Sequence, residues 1–142
     1  MITLSKEQVI RLHRKIIETS GGDAGIRDEA LLESALISPL QTFDSADLYP
    51  TTPEKIARIT YSLVSNHPFV DGNKRIGTFL LMLLLELNNI DIVFSDDEVI
   101  HIGMSLATGE MNYDELLDIL LKKILIRAKP SHWVSETTGT YG

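Results

Sequence analysis

Cysteine is absent from all 142 residues, which excludes a disulfide framework, a thiolate nucleophile and any cysteine-ligated zinc site. Long apolar runs are missing too. The oiliest stretch, Phe79 to Leu85, falls far short of the ~20 residues a helix needs to cross a bilayer. The start, Met1 to Lys6, has no basic segment leading into an apolar core, so a cytoplasmic protein with no membrane attachment is expected. Positive charge is scarce, with 13 Lys and Arg against 20 Asp and Glu and a net charge of −7. Nucleic-acid backbones are held by clustered Lys and Arg, so direct nucleic-acid binding is not expected. Strand patterns are scarce as well: none is convincing beyond Ile90 to Phe94, and no internal repeat is visible.

Helical signals fill the chain instead. Ser5 and Gln8 have capping-box spacing and open a helix whose apolar positions include Val9, Ile10, Leu12, Ile16 and Ile17, ending at Ser20-Gly21-Gly22. Asp28 starts a second helix through Leu31, Leu32, Ala35 and Leu36, which stops at Ser38-Pro39. The aperiodic stretch from Gln41 to Thr51 reads as a surface loop or a short hairpin. Thr52-Pro53 gives a cap with proline at the first helical position, and Ile56, Ile59, Leu63 and Val64 supply a buried stripe. A fourth helix begins near Asn73 and ends at Asn88-Asn89; it is apolar on nearly every side and should be the central, buried one. Ser95 with Glu98 opens a fifth helix, closed at Thr108-Gly109, and Asn112 with Glu115 opens a sixth. The expected fold is an all-α bundle of about six helices over residues 1–128, followed by a loosely held tail, 129–142, rich in Ser, Thr and Gly.

Between the third and fourth helices lies His67-Pro68-Phe69-Val70-Asp71-Gly72-Asn73-Lys74-Arg75. An imidazole, a carboxylate, a carboxamide and two cations crowd a short loop flanked by oily helices. Glycine permits a sharp turn or close backbone approach to a ligand. The helix that starts near Asn73 points its free N–H groups and positive dipole end into the loop, which is an anion site suited to phosphate. Cations in the first turn of a helix are electrostatically misplaced unless an anion sits beside them, so Lys74 and Arg75 favour the same reading. The other histidines carry less: His13 lies near an apolar stripe and reads as structural, and His101 and His132 have no partners by sequence.

The spacing His67-x-Phe69-x-Asp71-Gly72-Asn73-Lys74-Arg75 closely resembles the signature of the Fic/Doc (Fido) family. Gly25-Ile26-Arg27-Asp28, Leu31-Leu32-Glu33-Ser34-Ala35, Tyr49-Pro50 and Asn66-His67-Pro68-Phe69 resemble its death-on-curing, Doc-type toxin branch, over nearly the whole chain to about Ile126. The resemblance implies a Fido-type bundle with its active-site loop ahead of the central helix. It implies that His67 is a general base for a protein hydroxyl, a task suited to a group titrating near neutrality. Asp71 would hold Mg²⁺ against nucleotide phosphates, since a hard cation favours carboxylate oxygen. Asn73, Lys74 and Arg75 would clamp phosphate oxygens, Gly72 would allow close approach, and Phe69 would anchor the loop without doing chemistry.

Two positions depart from the adenylyl-transferring Fic enzymes, which usually carry Gly where Lys74 stands and a second Arg where Thr78 stands. Doc-type proteins share both departures. The resemblance therefore implies transfer of the γ-phosphate of ATP to a threonine of elongation factor Tu, halting translation, with adenylyl transfer and a non-catalytic binding role as the alternatives. No Glu is followed by Gly or Asn, so the family's built-in inhibitory motif is absent and a separate antitoxin is implied. The segment Phe43 to Tyr49 reads either as a flap that aligns a target peptide as an added strand or as an ordinary connection. Trp133 reads as a loosely packed aromatic in the tail.

Overall fold

The computed structural model describes residues 1–137, with side-chain surroundings through residue 127. Six α-helices follow one another: α1 (Lys6–Ser20), α2 (Glu29–Ile37), α3 (Thr52–Asn66), α4 (Asn73–Leu87), α5 (Asp96–Thr108) and α6 (Tyr113–Thr137). A 3₁₀ turn at Ser38–Leu40 and a hairpin of β1 (Thr42–Phe43) and β2 (Ala46–Asp47) join α2 to α3. The hairpin turns through Asp44 and Ser45, both at positive φ, which suits a tight two-residue turn. Ile90 to Phe94 is an irregular connection in no sheet.

Most of the helix starts fall where the local signals put them. Ser5 with Gln8 and Ser95 with Glu98 form reciprocal capping boxes, and Asp28 accepts from Leu31 N–H. Asn112 and Glu115 exchange the same pair of bonds at the start of α6. One start moves by a residue. Thr51, not Thr52, caps α3, because Glu54 stands three positions beyond Thr51 and returns the bond to its N–H at 3.0 Å. α6 continues to Thr137, through much of the segment expected to be a tail, and residues 138–142 lie outside the described residues. Trp133 falls beyond the described side chains.

α3 and α4 pack most closely, with α1, α2, α5 and α6 arranged about the pair. Gly77 makes the close crossing possible: a Cβ there would lie 2.4 Å from Val64 Cγ2. Leu63, Ile76, Leu80, Leu81, Leu84, Ile102, Leu106 and Leu116 fill the core, each fully buried aliphatic side chain contributing ~1.5–3 kcal/mol. α4 is central, yet not buried all round: Phe79 and Met82 open onto solvent. The α3–α4 pair therefore presents the intervening loop at one end of a rigid core.

Candidate active site

His67 ends α3 in the left-handed conformation (φ 51°, ψ 58°), a backbone state that a non-glycine residue keeps only when its surroundings enforce it. Arg27 does the enforcing. Its Nε donates to His67 O at 2.6 Å and its Nη2 to Asn66 O at 2.8 Å, satisfying carbonyls at the end of α3. Arg27 N and Asp28 N also donate to Pro68 O, and Val70 N donates to Gly25 O, so residues 25–28 run along the loop as a backbone rail. The His67 imidazole is exposed, and among the described residues its ring nitrogens make no hydrogen bond. A side chain free at its tip on a fixed backbone can meet a substrate without rearrangement.

Phe69 is buried and stacks on His13, with ring centroids 3.7 Å apart and planes 11° apart. Asn73 closes the loop on itself: Phe69 N donates to its Oδ1 and its Nδ2 donates to Phe69 O, both at 3.0 Å. The family resemblance implies a phosphate contact for Asn73. Its carboxamide is instead spent inside the loop, which leaves its backbone N–H for an anion.

Gly72 begins α4 at φ 77° and ψ 19°, with no side chain capping the helix. A Cβ here would sit 3.0 Å from Ile17 Cδ1 and 3.3 Å from His13 Nε2, so the loop needs both the conformation and the space that glycine gives. The Lys74 side chain is exposed, and its ammonium has no hydrogen-bond or ionic partner among the described residues. α5 backs this turn closely, since a Cβ on Gly103 would reach within 3.7 Å of Lys74 Cβ.

Arg75 points elsewhere than the spacing suggests. Its Nη1 donates to Gly21 O at 2.9 Å and to Ser20 Oγ, holding the end of α1. Nη2 lies beside Gly22 and Gly72, where added Cβ atoms would come within 3.4 and 3.6 Å of it. Asp71 takes Asp23 N–H on Oδ2 at 2.8 Å, and its carbonyl accepts the Nε2–H of His13 at 2.7 Å. Oδ1 accepts no hydrogen bond among the described residues. An exposed carboxylate with one free oxygen fits Mg²⁺, which takes one or two protein carboxylates and completes its shell with phosphate and water.

Asp23 and Arg27, which hold the loop, have no role assigned from sequence, and His13, read there as structural, holds the loop as well. His13 is almost wholly buried, and its pKa is lowered, first by burial and further by the neighbouring Arg75 and Arg14. It is neutral at pH 7, with Nε2 carrying the proton, because a carbonyl can only accept. Its place among Val9 and Ile17 was legible, but its partner stands 58 residues away. A cavity of about 810 Å³ lies at the α5–α6 turn and shares no residue with the loop. Glu110, Asp114, Glu115 and Asp118 line it, a charge that repels phosphate.

The family model described as Fic/DOC family matches residues 3–85. The protein named Toxin Doc from Mycolicibacterium smegmatis (strain ATCC 700084 / mc(2)155) is 32% identical over 98 residues, covering 68% of this chain and 75% of that protein.

Proposed function

The chain belongs to the Fic/Doc family, and from that premise we propose that it is a Doc-type toxin that transfers the γ-phosphate of ATP to a threonine hydroxyl of elongation factor Tu. The observation that carries this reading is the start of α4: a helix N-terminus on Gly72 with no side-chain cap, an exposed Lys74 ammonium without a partner among the described residues, and an exposed His67 imidazole at the start of the same loop. The relative named Toxin Doc supports the toxin role, and with it a separate antitoxin protein as partner.

In this mechanism the target hydroxyl gives its proton to His67 as its oxygen attacks the γ-phosphorus. The bond from that phosphorus to the β-phosphate oxygen breaks, and ADP leaves. The α4 amides and Lys74 offset the charge that gathers on the phosphoryl oxygens, where fixed donors act without reorganising. Arg75 adds its charge from the α1 side of the loop. Asp71 is the residue that would hold Mg²⁺, whose contribution is to neutralise the nucleotide phosphates. Position 78 favours phosphoryl over adenylyl transfer: Thr78 bonds back to Lys74 O at 2.8 Å and supplies no second arginine clamp.

The test is a transfer assay with elongation factor Tu and Mg²⁺, run in parallel with ATP labelled on the γ- and on the α-phosphate, each with a His67→Ala control. Label arriving from the γ position alone, and lost in the variant, is the expected result. Label from the α position alone reassigns the protein to adenylyl transfer.

A further inference from the structure

We infer that His13 is a positioning residue for phosphate binding: it sets the direction of the Asp71–Gly72 peptide so that the Gly72 amide joins the α4 amides in one anion-binding nest. The inference rests on the phosphate-binding reading of the loop and adds a residue of α1 to it.

Four observations carry it. His13 Nε2–H donates to Asp71 O at 2.7 Å, which fixes that carbonyl toward α1. A trans peptide is planar with its N–H opposite its C=O, so the Gly72 N–H is turned away from α1. Among the described residues that N–H has no acceptor. Gly72 is left-handed and Asn73 is the first helical residue, and that alternation converges successive amides on one concavity.

The His13 ring is also an awkward choice for filling space. Its Nδ1 is buried with no partner, a penalty that a phenylalanine or leucine at the same core position avoids. Stacking on Phe69 needs only a flat ring. What a hydrocarbon ring cannot do is donate to Asp71 O. The donor, rather than the volume, is what distinguishes histidine here.

Two substitutions separate donor from volume. His13→Phe keeps the stack and removes the donor. His13→Gln carries an N–H at the distance of Nε2 and loses the ring. ¹⁵N-labelled protein would be titrated with inorganic pyrophosphate and Mg²⁺ while the Gly72 to Arg75 amides are followed. In the unaltered protein the Gly72 amide is expected to shift with its helical neighbours. In H13F that amide should cease to respond and pyrophosphate affinity should fall about tenfold, the worth of one hydrogen bond to a charged group. H13Q should recover most of both. An unresponsive Gly72 amide in the unaltered protein overturns the inference, as does H13F binding normally or H13Q binding as weakly as H13F. Should H13F fail to fold, His13→Asn replaces it, since its shorter amide cannot reach the carbonyl. Pyrophosphate binding through Gly72 without γ-phosphate transfer to any target would refute the kinase reading and leave this inference standing.

Discussion

α4 begins unlike its five neighbours. α1, α3 and α5 open on full capping boxes, α2 on Asp28, and α6 on Asn112 with Glu115. Each closes its first amides with side chains from its own sequence. α4 opens on a glycine with no side-chain cap. A cap stabilises a helix by ~1 kcal/mol, so the protein forgoes that stabilisation at one start and keeps it at the others. Five ends are closed by their own side chains; the sixth has no such cap, and it is there that the proposed function seats the phosphates.

The most severe break in that contrast leaves the open end intact and removes the exposed imidazole at the start of the same loop. His67→Ala should reduce transfer roughly 10²–10⁴-fold, as expected for loss of a general base, while nucleotide affinity measured by calorimetry stays near the starting value. A large loss of affinity instead would make His67 a binding residue. Next in size is Gly77→Ala, which drives a Cβ into Val64 at the α3–α4 crossing. Overpacking of this kind costs ~1–3 kcal/mol, read from urea unfolding. Smaller again is the loss of an ordinary cap. Ser95→Ala should lower stability by ~1 kcal/mol and leave kcat unchanged, because the capping bonds Ser95 makes are with Glu98 of its own first turn. A fall in kcat with stability intact would erase the distinction between the two kinds of helix start.

The smallest effect concerns pH. Burial lowers the pKa of His13, with Arg75 and Arg14 adding to the shift and the bond to Asp71 opposing it. Between that lowered value and the ordinary value of 6.5, the unfolded chain binds a proton that the folded chain does not. Stability therefore rises with pH across this window and is lost as pH falls below about 6.5. His13→Gln should flatten that part of a stability–pH curve obtained from chemical unfolding, and an unchanged slope would assign it to other groups.

What was legible in the chain was local. A capping box spans four residues, so Ser5–Gln8, Ser95–Glu98 and Asn112–Glu115 could be read directly, and the one-residue slip at Thr51 came from favouring proline at the first helical position over the Glu54 partner. The loop from His67 to Arg75 was also legible, because its chemistry is crowded into one stretch. Directions were not. Asn73 folds back onto Phe69 and Arg75 reaches Gly21, contacts that no spacing rule distinguishes from a reach toward phosphate. Asp23 and Arg27 were not legible, nor was the partner of the structural His13, because each acts on a residue that is remote in sequence. The open strip at Phe79 and Met82 could not be foreseen either, since a helix apolar on nearly every side does not reveal which side lacks a neighbour.

The rail along residues 25–28 makes two distant stretches of chain one cooperative unit. Arg27 grips the end of α3 while Gly25 and Asp23 grip Val70 and Asp71. Residues 23–28 hold His67, Val70 and Asp71 at once, so these segments are expected to share a single opening equilibrium in hydrogen exchange. A protease or binding partner that pries up this surface segment would release the loop without touching His67, Lys74 or Arg75.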